Sequence, residues 1–275
     1  MNRIDTTFDR LRREGRKGLI TFLTAGDPRP DWTVELLHTV VANGADVVEI
    51  GVPFTDPLAD GPVIQRASER ALNHGVTLDE VLAMVREFRR GDPTTPVVLM
   101  GYANPLERMG VERFAGEAAT AGVDGVLIVD MPPEEAETWS APLPLQGVHP
   151  ILLAAPTTSA ERRARIQALT GGFLYYVSMA GVTGGAGLDP DEVAAQVAPI
   201  RDGSDLPVAV GFGVRDADSA AAVAGSADAV VVGSALIRTV EAYLEHADSS
   251  TLREALGAQV ADLRAGVDRA SESQV

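Results

Sequence analysis

The sequence has no cysteine, so disulfides and thiolate metal ligands are excluded. It is almost as poor in lysine: of 23 basic residues only Lys17 is lysine, and the rest are arginine. Lys17 precedes the first apparent strand. Positive charge is scarce altogether, with 39 acidic residues against 23 basic ones and a net charge of −16. Such a chain is unsuited to nucleic acid, whose phosphates require a basic surface. An anionic small molecule would have to be held by local donors against an unfavourable background field. No apolar run approaches the roughly 20 residues of a membrane span. The opening residues, MNRIDTTFDRLRREGRKG, are charged and lack an apolar signal core, which makes a cytoplasmic location the expectation.

What is present is a regular alternation. Short β-branched runs at 18–26, 46–51, 96–102, 125–130, 149–156, 173–181, 206–213 and 228–234 are separated by amphipathic stretches such as 31–44, 111–122 and 159–171. The runs are continuously apolar, as parallel strands buried on both faces require. Eight strand–helix units predict a single α/β domain over 1–275, a closed (β/α)8 barrel of the TIM type. An extra N-terminal helix (4–14) and a long one at 249–269 are additional helices covering barrel ends. The segments NGADVVEIG, AGVDGVLIVD and GSADAVVVGS repeat one pattern of helix end, aspartate and strand.

Active sites in this fold lie at the carboxyl ends of the strands. Glu49 stands there in an otherwise apolar strand; burial would poise it for proton transfer, although a glutamate paired to a rim arginine is the plainer alternative. Asp60, in the proline-rich loop 52–62, is either a functional carboxylate or a cap for the helix after Gly61 and Pro62. Asp56 has a similar turn-forming explanation. Glycine turns at 181–185, 211–214 and 233–236 follow the last three strands, where backbone N–H groups can cradle a phosphate. Tyr175 and Tyr176 are adjacent and must face opposite ways; either could be a core tyrosine only. A Schiff base lacks a lysine at this end, and His38, His74, His149 and His246 do not converge on a metal site. Acid–base work by carboxylates, on a substrate carrying its own electron sink, is what remains.

EIGVPFTDPLADGPVIQRA (49–67) closely resembles the signature of the tryptophan synthase alpha subunit family. TFLTAGDP (21–28), GYANP (101–105), VDMPPEE (129–135), APTT (155–158) and VSMAGVTG (177–184) resemble it too, in order along nearly the whole chain. The resemblance implies a carbon–carbon lyase of tryptophan biosynthesis that cleaves indole-3-glycerol phosphate to indole and glyceraldehyde 3-phosphate. It assigns general acid–base work to Glu49, the indole N–H to Asp60, and a place beside the glycerol chain to Tyr175. Phe22, Met100, Leu127 and Val129 would line the indole pocket, and Thr183 would help close a loop over it. Gly184, Gly213, Gly233 and Ser234 would bind the phosphate. No metal and no organic cofactor belong to the chain itself; pyridoxal phosphate would sit in a beta-subunit partner, within a heterotetramer. Pro53, Asp56, Asn104 and Pro105 are the expected contacts with that partner. Thr55, where many members have serine, and Met179, where some have arginine, depart from the family pattern. A stand-alone lyase working without a beta subunit is the runner-up reading; another phosphate-binding epimerase or isomerase, or a purely regulatory partner, fits the residues less well.

Overall fold

The structure, a computed structural model, describes residues 1–177, 190–201, 203–211 and 213–272. Its elements begin with α1 (Arg3–Arg13), β1 (Gly18–Thr24), α2 (Thr33–Ala42), β2 (Val47–Gly51), α3 (Pro62–Asn73), α4 (Leu78–Gly91) and β3 (Val97–Gly101). Next come α5 (Ala103–Met109), α6 (Val111–Ala121), β4 (Gly125–Ile128), α7 (Pro133–Ser140), α8 (Pro142–Leu145), β5 (His149–Ile151), β6 (Leu153–Ala154) and α9 (Ala160–Leu169). The chain ends with β7 (Leu174–Val177), α10 (Pro190–Arg201), β8 (Val208–Gly211), α11 (Ala217–Ala224), β9 (Ala229–Val232), α12 (Ser234–Glu241) and α13 (Ser250–Glu272).

The described strands form one parallel sheet in the order β5-β4-β3-β2-β1-β9-β8-β7-β6. The run expected at 149–156 is interrupted at Leu152: β5 pairs with β4 on one side, and β6 pairs with β7 on the other. The two edges are therefore consecutive pieces of one stave, and the barrel closes through the chain itself, with eight staves as anticipated. The strand expected at 173–181 is described only as far as Val177.

Side-chain alternation gives each stave an inner and an outer face. The outer faces pack under the helices in a large apolar layer that includes Tyr176. The inner faces supply Ile20, Val47, Val98, Leu127, Ile151 and Phe173, and α1 closes that end by inserting Ile4, Phe8 and Leu11. Phe8 meets Phe173 with ring centroids 5.6 Å apart.

The repeated aspartates now have a structural meaning. Asp46 accepts the amide of Leu19 at 3.0 Å, Asp124 that of Val97 at 2.8 Å, and Asp228 that of Val208 at 2.9 Å. Each carboxylate at the start of one strand thus takes the first free N–H of its neighbour. Arginines neutralise them: Arg264 pairs with Asp46, Arg3 and Arg89 with Asp124, and Arg201 with Asp228. Lys17 lies at this same end, its pKa lowered by burial despite Asp228 nearby, which removes it from any Schiff-base role. Among the described residues, no helix is long and apolar enough to cross a membrane.

Candidate active site

The opposite end of the barrel opens into a cavity of about 990 Å³. Its floor is the last inward residue of successive staves: Phe22, Glu49, Met100, Leu153, Tyr175 and Val231, with Val129 at the end of β4. Glu49 enters because β2 is continuously apolar at Val47, Val48 and Ile50 and pairs in register with Phe22 of β1 and Val98 of β3. The strand has no freedom to turn the carboxylate outward. Glu49 is 1% exposed, and neither carboxylate oxygen has a hydrogen-bond partner. The rim-arginine alternative is therefore removed. Burial, reinforced by the negative charge of Asp60, pushes its pKa up to about 8, so the group is protonated at neutral pH.

Asp60 arrives from the loop between β2 and α3. The cap of α3 is Gly61 and carries no side-chain hydrogen bond, so Asp60 is not the helix cap. Its carboxylate instead accepts the Tyr102 hydroxyl at 2.9 Å, while the Ala59 amide donates to the same hydroxyl oxygen at 3.1 Å. Tyr102 is itself stacked on Phe54, with centroids 5.0 Å apart. Gln65 ties the loop down by donating to the Asp60 carbonyl at 2.9 Å. Partial burial raises the Asp60 pKa, and the Tyr102 hydrogen bond opposes the rise. Tyr102 escaped the sequence reading although it lies inside GYANP, because only its neighbours Asn104 and Pro105 suggested a role there.

Tyr175 faces the cavity and Tyr176 packs outward, which resolves the adjacent pair. Burial, with Glu49 and Asp60 nearby, holds the Tyr175 hydroxyl well above its ordinary range, and it stays a neutral donor. Leu127 is fully buried in the inner layer and is not among the residues lining the cavity. Pro53 is buried, Asp56 exposed and bonded to the Thr55 hydroxyl at 2.6 Å, Asn104 exposed and Pro105 half-buried. Leu58 is 91% exposed in the same loop as Asp56.

Gly213, Gly233 and Ser234 line the far wall. Gly213 has a φ of +48°, a backbone conformation open to glycine. Gly233 precedes α12 without a side-chain cap, so the first-turn N–H groups of that helix keep no side-chain acceptor. The neighbouring α11 differs: Asp216 caps it and accepts the Ser219 amide at 2.9 Å. Of two adjacent helix ends, only α12 is left open to an anion. Thr183, Gly184 and Met179 lie outside the described residues. Among the described residues no group of three or more histidines, aspartates or glutamates could hold a metal ion.

Fold and site together define a (β/α)8-barrel enzyme with a carboxylate pair and an uncapped helix end at the C-terminal mouth. The sequence profile of the tryptophan synthase alpha chain matches residues 8–266. The chain is 57% identical over 268 residues to the tryptophan synthase alpha chain of Dechloromonas aromatica, covering 98% of both. It is 55% identical to that of Cupriavidus metallidurans, covering 98% of this chain and 100% of the other. Among solved structures, the alpha subunit from Legionella pneumophila strain Paris superposes with a TM-score of 0.91 at 47% identity, covering 98% and 99%. Tryptophan synthase from M. tuberculosis in its aminoacrylate-bound form gives 0.85 at 36%, covering 97% and 100%. The chain belongs to the tryptophan synthase alpha chain family, the lyases that cleave indole-3-glycerol phosphate to indole and glyceraldehyde 3-phosphate.

Proposed function

We propose that Glu49 and Asp60 carry this cleavage through an acid–base cycle on the indole ring, which supplies the electron sink. The observation that carries the reading is a buried, unpartnered carboxyl facing a cavity it shares with a second carboxylate. Protonated Glu49 donates its proton to ring carbon C3. The ring becomes iminium-like, and its N–H donates to the Asp60 carboxylate, which stabilises the positive charge as it develops. Glu49, now ionised, takes the proton of the glycerol hydroxyl beside the ring as the carbon–carbon bond breaks. The bonding electrons return to the ring, indole is restored, and the departing carbon becomes the aldehyde of glyceraldehyde 3-phosphate. Glu49 ends the cycle protonated.

Tyr175 donates toward the glycerol chain, and Phe22, Met100 and Val129 enclose the indole, with Leu127 supporting them from below. Gly184, Gly213, Gly233 and Ser234 hold the phosphate, and Thr183 helps cover the site. The whole chain works as one domain in the cytoplasm and uses no cofactor of its own; pyridoxal phosphate belongs to the beta subunit. That partner docks on Asp56, Asn104 and Pro105, beside the exposed Leu58, while Pro53 is buried at the base of the same loop and acts by shaping it.

The test is indole release from indole-3-glycerol phosphate by the purified chain, with and without beta subunit, beside Glu49→Gln. Slow release that the partner accelerates and the variant abolishes is the expected result. Equal, fast release without the partner would make the chain a stand-alone lyase. A Glu49→Gln chain that turns over like the parent would overturn the acid–base assignment.

A further inference from the structure

Backbone amides and one hydroxyl give the far wall direction but little charge, and the chain around it carries a net charge of −16. Three arginines nevertheless line the cavity: Arg162, Arg215 and Arg238. Arg162 is already committed, donating to Glu134 at 2.9 Å. Arg215 and Arg238 have no salt-bridge partner among the described residues, although most arginines of the chain do. Arg215 follows β8 two residues beyond Gly213. Arg238 stands on α12, four residues beyond Ser234, so the two reach the same wall from successive strand–helix turns. Two acids lie near. Asp216 flanks Arg215 and attracts it without forming a salt bridge, its Oδ1 accepting from the amide and hydroxyl of Ser219. Asp130 accepts the amide of Ala103 at 2.9 Å.

Resting on the substrate reading above, we propose that Arg215 and Arg238 are the charged half of phosphate recognition: the α12 amides fix the phosphate's position, and the two guanidinium groups supply its counter-charge. A guanidinium cannot be neutralised at working pH and offers a planar fork that matches phosphate oxygens. Two such groups at the mouth of an acidic molecule also attract a dianion that the rest of the surface repels. That attraction acts over a Debye length of about 10 Å at 0.1 M salt, and it weakens as salt is added.

The test compares Arg215→Gln, Arg238→Gln and the double variant with the parent, each in complex with beta subunit. Arg12→Gln, on α1 at the other end of the barrel, controls for the change in net charge. Each single variant is expected to raise KM for indole-3-glycerol phosphate about tenfold with kcat within about twofold, the loss typical of one charged hydrogen bond. The double variant should lose more and show a flatter fall of kcat/KM with salt. In parallel, racemic glycerol 3-phosphate is titrated into each chain by calorimetry. A double variant that binds it as the parent does, or that keeps KM within twofold, overturns the inference, as does a fall in kcat with KM unchanged. If the parent releases no indole yet binds glycerol 3-phosphate, and the double variant does not bind it, the substrate reading fails while the role of the arginines stands.

Discussion

At the scale of single residues, the proposed chemistry rests on one carboxyl kept dry. Glu49 has an ordinary pKa of 4.5 that burial raises to about 8. The sign of its effect on stability follows. In the unfolded chain the group ionises near 4.5, whereas in the folded chain it must stay protonated or bury a charge. Its contribution is fully present below about pH 4.5 and is lost as pH rises toward about 8. Glu49→Gln cannot ionise, so its melting temperature should overtake that of the parent progressively across this window and hold a constant margin above it. Thermal unfolding followed by circular dichroism at several pH values checks this; parallel curves for the two proteins would mean that the carboxyl is solvated. By the same reasoning, kcat of the parent should fall above about pH 8 as Glu49 loses the proton that the proposed cycle has it deliver. Both carboxylates were legible in the sequence. Tyr102, which orients Asp60, was not, because it lies 42 residues away and only the fold brings the two within 2.9 Å.

At the scale of elements, the end of the barrel away from the site is tied by the aspartates of the repeated strand-start pattern. Asp124 is the most heavily used: it accepts from Arg3 at 2.9 Å, from Arg89 at 2.7 Å and from the Val97 amide at 2.8 Å. Its side chain and that of Arg89 are 3% and 10% exposed. Removing one partner of such a pair leaves the other charge buried and uncompensated, at a cost of about 3–5 kcal/mol. Asp124→Ala should therefore lower the unfolding free energy by about that much while KM stays unchanged, because the site is at the other end of the strands. Urea unfolding combined with steady-state kinetics separates the two effects. The repeat was visible as a pattern of letters, but its purpose was not. A carboxylate bonding the neighbouring strand's amide is a statement about register, and register exists only once the strands are paired.

At the scale of the whole molecule, charge is the dominant feature. A net charge of −16 makes the compact state repel itself. Many of its surface ion pairs are exposed, and such pairs contribute only about 0–1 kcal/mol each. Screening should therefore help more than it harms, and raising sodium chloride from about 0.05 to about 0.5 M should raise the melting temperature. A fall would mean that the partly buried pairs around Asp46, Asp124 and Asp228 outweigh the global repulsion. Stability and activity should then move in opposite directions as salt rises, if Arg215 and Arg238 attract the anionic substrate as proposed, because the same salt screens that attraction.

Local sequence was enough to read the alternation of strand and helix, the end of the barrel that opens into the cavity, and the two carboxylates that line it. Each of these is written in local periodicity or in a residue type out of place among apolar neighbours. The folded structure settled which tyrosine faces inward, that Asp60 is not a helix cap, that Leu127 is buried outside the cavity lining, and that two arginines with no salt-bridge partner among the described residues line the cavity. It also decided that the stave at 149–154 is broken at Leu152, so that its halves pair on opposite sides. These depend on contacts between residues far apart in the chain, and hence on closure of the barrel, which no local pattern encodes.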